Sequence, residues 1–178
     1  QGGYRQLSTS LLQIENEFYG TIRPKRTIRS GERPLHALRE RGVEYVEVRC
    51  MDLDPFEPVG IGASTARFID VFLLHCLLSD SPPDSPGEIA ALARNQHLAA
   101  ARGREPGLTL ERGGSAVRLT DWAGELVDQC SPIAHLLDEL NGGTAHRDAL
   151  SAAPRSRSDL DSLPSARVLA AMRAQHAA

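Results

Sequence analysis

The sequence predicts an α+β fold, and three observations carry that reading. Two stretches, residues 11–19 and 43–50, alternate apolar and polar side chains with the period of a half-buried strand. The chain after residue 63 turns instead to helical spacing punctuated by capping residues. Strands come first and helices follow, rather than alternating one by one as in a doubly wound sheet.

In the first stretch Leu12, Ile14 and Phe18 alternate with Gln13, Glu15, Glu17 and Tyr19. Tyr19-Gly20 and Pro24 are expected to end that strand, and Arg23, Lys25, Arg26 and Arg29 to form a basic connection. Residues 34–41 predict a short helix opened by Pro34 and closed by Gly42. In residues 43–50, Val46, Val48 and Cys50 share one side while Tyr45, Glu47 and Arg49 share the other. Residues 52–62 hold too much Pro and Gly for a regular element, and Ser64-Thr65 suit the cap of an apolar helix reaching about residue 78. After a loop at 79–87, Ser85, Pro86 and Glu88 form a helix start with Ser as N-cap, ahead of a helix to about residue 102. Residues 103–110 read as a turn and a short extended piece. Residues 120–140 form an amphipathic helix interrupted by Pro132 and stopped by Asn141-Gly142-Gly143. Weaker helical stretches at 147–152 and 165–174 flank a Pro/Ser/Arg/Asp-rich segment, 153–164, read as a flexible linker. The expected organisation is therefore a strand-rich part at 1–62, a helical part at 63–152, the linker, and a C-terminal helix at 165–178.

Composition narrows the function classes. Of 178 residues 41% are hydrophobic and 24% charged, enough for one sizeable core and far from a disordered composition. Twenty Lys+Arg against 23 Asp+Glu leave a net charge of −3, which argues against a dedicated nucleic-acid binder. The most apolar stretch, 68–78, is broken by Asp70 and His75 and falls short of the roughly 18 residues of a membrane span. Cys50, Cys76 and Cys130 have neither disulfide-framework nor zinc spacing, so a reducing, cytoplasmic setting is expected. A chain starting at Gln1, with Gly2-Gly3 like the interior of a loop, is expected to be a piece of a longer one.

The chemistry sits on the polar strand faces. If the two stretches are neighbours in one sheet, Glu15, Glu17 and Glu47 gather beside Arg49 and the phenols of Tyr19 and Tyr45. Carboxylates hold Mg²⁺ together with phosphate oxygens, and a planar guanidinium grips a phosphate, so such a face suits phosphoryl transfer. The same residues also suit the solvated side of an antiparallel sheet. Arg23, Lys25 and Arg26 fit nucleotide phosphates or an ordinary solvated loop. His75 and His97 lack a suitably spaced second ligand, Trp122 reads as packing, and Cys50 is expected in the core by parity.

The runs QIENEFYGTIRPKR at 13–26, SGERPLHALRERGVEYVEVRCMDLDPFEPVGI at 30–61 and GREPGLTL at 103–110 resemble the C-terminal portion of proteobacterial glutamate–cysteine ligases. The likeness is dense from about residue 5 to 61 and looser through Asn141-Gly142-Gly143 and Ser165-Ala166-Arg167. It implies part of a glutamine-synthetase-like antiparallel sheet. It also implies an ATP- and Mg²⁺-dependent ligase that phosphorylates the γ-carboxylate of glutamate and joins it to the amine of cysteine, the first step of glutathione synthesis. In that resemblance Glu47 matches a metal-ligand glutamate, and Arg49 an arginine that contacts the ATP phosphates and the transferring group. Tyr19 matches a tyrosine of the cysteine pocket. The family's remaining metal carboxylates and a histidine belong to an N-terminal half outside this sequence, which implies that the segment alone is inactive. The competing readings are a non-catalytic interaction domain built on the helices after residue 64, a nucleic-acid binder using Arg23, Lys25, Arg26 and Arg29, and another carboxylate–amine ligase or guanidino-kinase-like phosphotransferase on the same fold.

Overall fold

A computed structural model describes residues 20–158 and 160–176 of the chain, and these described residues fall into two compact units that divide between Leu53 and Asp54. Two antiparallel strand pairs and six helices among the described residues make the α+β chain that the pattern predicts.

In the first unit β1 (Ile22–Lys25) pairs antiparallel with β2 (Tyr45–Val48), and α1 (Pro34–Arg41) lies between them in sequence. β2 falls inside the expected 43–50 strand. Among the described residues its partner is β1, so residues 23–25, read as a basic connection, are strand. Pro24 explains both the misreading and the tolerance. The Arg49 amide donates to the Thr21 carbonyl at 2.8 Å. That rung makes alternate positions hydrogen-bonded and leaves Pro24, opposite Val46, at a non-hydrogen-bonded pair. The missing N–H of the proline therefore removes no rung to β2. The expected strand at 11–19, with Glu15, Glu17 and Tyr19, lies outside the described residues.

α1 begins with Pro34 and ends at Gly42, whose φ of 72° suits glycine and whose amide donates to the Leu38 carbonyl. Ion pairs fasten the chain on either side of the helix. Both Arg41 Nη atoms donate to the Glu32 carboxylate, at 2.6 and 2.8 Å, and one also reaches the Thr27 carbonyl. The Thr27 amide donates to Glu44.

The second unit packs α2 (Ala63–Leu78), α4 (Leu119–Asn141) and α5 (Ala145–Ser158) around Val71, Cys130, Ala134 and Leu150, with Phe68, Phe72, Val127, Ile133 and Leu137 against them. Val127, Cys130, Ala134 and Leu137 recur at the three- and four-residue spacing that puts one stripe of a helix inward. Pro132 lies within α4 and is exposed, so its lost hydrogen bond falls on the water side. α2 starts at Ala63 without a side-chain cap, ahead of the expected Ser64-Thr65. α3 (Pro86–Arg102) starts as its residues dictate: Ser85 Oγ accepts from the Glu88 amide.

β3 (Thr109–Arg112) and β4 (Ser115–Arg118) form a hairpin on Gly113-Gly114, both with positive φ, the backbone of a two-residue turn that matches strand twist. Asn95, buried on α3, donates from its amide to the Glu111 carbonyl and accepts from the Glu111 amide. One side chain thus satisfies an edge residue of β3 as a neighbouring strand would. Between α4 and α5, Asp138 is nearly buried at 3% exposure and accepts from the His146 and Arg147 amides and from Arg147 Nε, while His146 Nδ1 lies 2.9 Å away. Burial alone would raise the pKa of this carboxyl. The donors at the start of α5 outweigh burial and hold it well below the usual carboxylate range.

The segment 153–164 is not the linker its composition suggests. α5 runs on to Ser158, and a 3-10 turn at Leu160–Ser162 leads into α6 (Pro164–His176). Ala149 and Leu150 are buried near the start of α5, and a helix fixed there by packing propagates through residues of poor intrinsic propensity. No helix among the described residues is long and apolar enough to cross a membrane.

Candidate functional site

The polar face of the first strand pair collects the charged residues that the sequence singles out. Arg23 lies directly opposite Glu47, and Lys25 opposite Tyr45, so all four share one face of the two-stranded sheet. Glu47 Oε2 lies 3.4 Å from Lys25 Nζ and 3.8 Å from Arg23 Nη1. These separations exceed the roughly 2.7–2.9 Å of a charge-assisted hydrogen bond. Oε2 is itself out of contact with water and has no hydrogen-bond partner among the described residues. A carboxylate oxygen in that condition is attracted by its neighbours without being satisfied by them, and a cation ligand is one chemical solution.

Arg49 follows the strand's last residue. Its amide, bonded to Thr21, makes the final rung of the ladder, and strand alternation puts it on the side of Glu47. Tyr45 is exposed on the same face. Cys50, expected in the core, is exposed, and with φ 61° it is the one non-glycine residue among those described to adopt a positive φ. The reason is that the extended backbone stops at Arg49, so parity no longer governs the next side chain. Tyr19, Glu15 and Glu17 fall outside the described residues, and with them the cysteine-side assignment.

The basic cluster divides by partner. Arg26 Nη1 donates to the Arg41 carbonyl, and its Nε lies 3.5 Å from Glu44, so it fastens the base of the strand pair rather than facing Glu47. The neighbouring Arg23 and Lys25 join the Glu47 face. Sequence reading missed their juxtaposition with Glu47, although the alternation of Ile22 and Pro24 with Arg23 and Lys25 was the signal for it.

No group of three or more His, Cys, Asp or Glu side chains gathers among the described residues, so Glu47 fits one ligand position of a Mg²⁺ ion and not a whole shell. His75 is engaged with Ser79, which donates to its carbonyl. In the second unit a cavity of about 700 Å³ opens beside the start of α3 and the hairpin turn. Of the charged groups in its lining, Arg94 pairs with Glu111, and Arg112 pairs with Glu125 outside the lining and covers the Trp122 ring at 5.2 Å.

Comparison with known proteins gives this face a context. The family model described as glutamate–cysteine ligase matches residues 1–99. The chain is 51% identical over 173 residues to a glutamate–cysteine ligase of Janthinobacterium sp. (strain Marseille), covering 97% of this chain and 33% of that protein. It is equally 51% identical over 172 residues to the glutamate–cysteine ligase of Azotobacter vinelandii, covering 97% of this chain and 32% of the relative. Among solved structures, the glutamate–cysteine ligase of Francisella tularensis in complex with AMP superposes with a TM-score of 0.82 at 40% identity, over 94% of this chain and 33% of that one. The chain thus spans about a third of the length of the curated relatives it matches, at a similarity that holds over almost all of its residues. Sequence and fold agree that the chain belongs to the glutamate–cysteine ligase family.

Proposed function

We propose that this segment supplies one face of the active site of an ATP- and Mg²⁺-dependent ligase. The reaction joins the γ-carboxylate of L-glutamate to the amine of L-cysteine, giving γ-glutamylcysteine for glutathione synthesis in the cytoplasm. The observation that carries the proposal is the unsatisfied, buried Glu47 Oε2 beside Lys25 and Arg23, with Arg49 following on the same side. Family membership and the AMP complex of a structural relative support the use of a nucleotide by the ligase.

In this reading Glu47 is one ligand of the metal, which when bound neutralises phosphate charge. Arg49 holds the transferring phosphoryl group through its planar fork, where charge builds as the γ-carboxylate of glutamate attacks ATP. That step breaks the bond between the γ-phosphorus and the bridging oxygen, giving γ-glutamyl phosphate and ADP. The amine of cysteine then attacks its carbonyl carbon, and phosphate leaves with the electrons of the C–O bond while the amine loses its proton. Tyr19 contacts the cysteine and orients its attack. Glu47 and Arg49 alone provide too few groups for this chemistry. The remaining metal ligands come from the portion of the family's length beyond this segment, and the 178-residue chain by itself is inactive.

Arg49→Lys in the full-length ligase tests the phosphate role. An ammonium keeps the charge and loses the fork, so kcat should fall by about tenfold or more while the melting temperature holds. A kcat within twofold of the parent would remove Arg49 from the reaction.

A further inference from the structure

Resting on the reading above, we infer that Lys25 is a second phosphate-contacting residue of this face, parked against Glu47 until a divalent cation takes that carboxylate. Three observations carry it. First, Lys25 Nζ stands 3.4 Å from Glu47 Oε2, and that oxygen has no hydrogen-bond partner among the described residues, so the pair is electrostatic and loosely made. Second, Lys25 is aligned with Arg23 and Glu47 on the β1–β2 face, whereas the next basic residue, Arg26, is tied to Glu44 and the Arg41 carbonyl. Third, Lys25 is the one lysine among 20 basic residues, the other 19 being arginine.

The last point has a physical reading. An arginine at position 25 would carry a fork able to pair bidentately with the Glu47 carboxylate, as Arg41 pairs with Glu32, although Arg23, directly opposite Glu47, stands off at 3.8 Å. A lysine is a compact charge on a flexible stem, and its three donors can be re-aimed without breaking a bidentate pair. Glu47, with a doubly charged cation bound, would no longer hold the single positive charge of Lys25 at the same oxygen. Nucleotide phosphates bound on this face would then offer the ammonium a new negative partner. The Lys25 side chain, 32% exposed, has the freedom to reach them. The ammonium is displaced from carboxylate to phosphate with no bond made or broken, and the face keeps its charge balance in both states.

The test uses the full-length ligase with Lys25→Met, Lys25→Gln and Lys25→Arg, and two readouts. These are the KM for ATP, and Mn²⁺ affinity measured by electron paramagnetic resonance without nucleotide. Losing a charge-assisted phosphate contact should raise the KM for ATP by about tenfold or more in the Met and Gln variants, with the KM for glutamate within twofold. Removing the competing ammonium should also tighten Mn²⁺ binding by about threefold or more in both. The Arg variant should bind Mn²⁺ more weakly than the parent. A KM for ATP within twofold of the parent in the Met and Gln variants overturns the inference. So does weaker Mn²⁺ binding in those variants, because Lys25 would then be only a brace for Glu47. Glu47→Gln separates this failure from failure of the underlying reading. If Mn²⁺ affinity survives that substitution, the metal role of Glu47 is wrong whatever Lys25 does.

Discussion

Glu47→Gln separates a structural from a chemical role because the two predict effects of different size. The substitution keeps the volume of the side chain and removes its charge. Structurally it dissolves two ion pairs, at 3.4 Å to Lys25 and 3.8 Å to Arg23, around a side chain that is 40% exposed. Pairs this accessible contribute about 0.2–1 kcal/mol each. Their sum, roughly 0.5–2 kcal/mol, is partly offset because a neutral amide is less costly to bury than the unsatisfied Oε2. The net loss is about 1 kcal/mol, a fall of about 2–4 °C in the melting temperature of a chain of this size. The chemical role predicts far more. Even groups that merely orient a metal ligand change affinity by about 10–100-fold, so loss of the ligand's own charge should weaken Mn²⁺ binding by at least about tenfold. The assay pairs thermal unfolding of the 178-residue chain with Mn²⁺ titration of the full-length ligase. Small thermal and large metal effects are expected together. Mn²⁺ affinity within twofold of the parent, with the melting temperature lowered as calculated, would refute the ligand assignment and leave Glu47 as a brace of the strand pair.

Acid should loosen both units through their clamped carboxylates. Hydrogen bonds from Arg41 and from the Arg29 amide lower the pKa of Glu32 from 4.5 to about 2. A group whose folded pKa is depressed stabilises the fold above its unfolded pKa and loses that contribution as pH falls through the folded value, here between about 4.5 and 2. Asp138 acts in the same direction, so circular dichroism should show stability falling over this window. Glu32→Gln should be less stable than the parent at pH 7 and less sensitive to acid, and an unchanged acid profile would dismiss the clamp. Leu150→Ala, in the α2–α4–α5 core, should cost about 2–5 kcal/mol in denaturant unfolding. A cost under about 1 kcal/mol would mean that this core is not packed as described. Tyr19→Phe in the full-length ligase should raise the KM for cysteine and leave that for ATP, and an unchanged KM for cysteine would refute its assignment.

What was legible in the sequence is what local chemistry decides. Ser85, Pro86 and Glu88 specify a helix start without help from the rest of the chain, and the Ser85 cap forms as expected. Gly42 and Gly142 stop helices for the same local reason, each with a positive φ that other residues resist. What was illegible depended on partners. Pro24 argues against a strand until its register shows that the missing amide faces away from β2. The β3–β4 hairpin was half seen, although Gly113-Gly114 between alternating residues is a turn signal that could have completed it. Residues 153–158 have the composition of a linker and the structure of a helix, because burial of Ala149 and Leu150 decides their backbone. In the candidate site, strand parity put Glu47 and Arg49 together, but only pairing with β1 brought Lys25 and Arg23 to them.

The central claim is that this segment is a working part of a glutamate–cysteine ligase active site and is not sufficient alone. Its most direct test is to assay γ-glutamylcysteine and ADP formed from glutamate, cysteine and Mg-ATP by the 178-residue chain and by a full-length ligase carrying it. The account predicts no product from the chain alone and turnover from the full-length enzyme. Robust turnover by the isolated chain, or a full-length enzyme that makes no γ-glutamylcysteine, would contradict it.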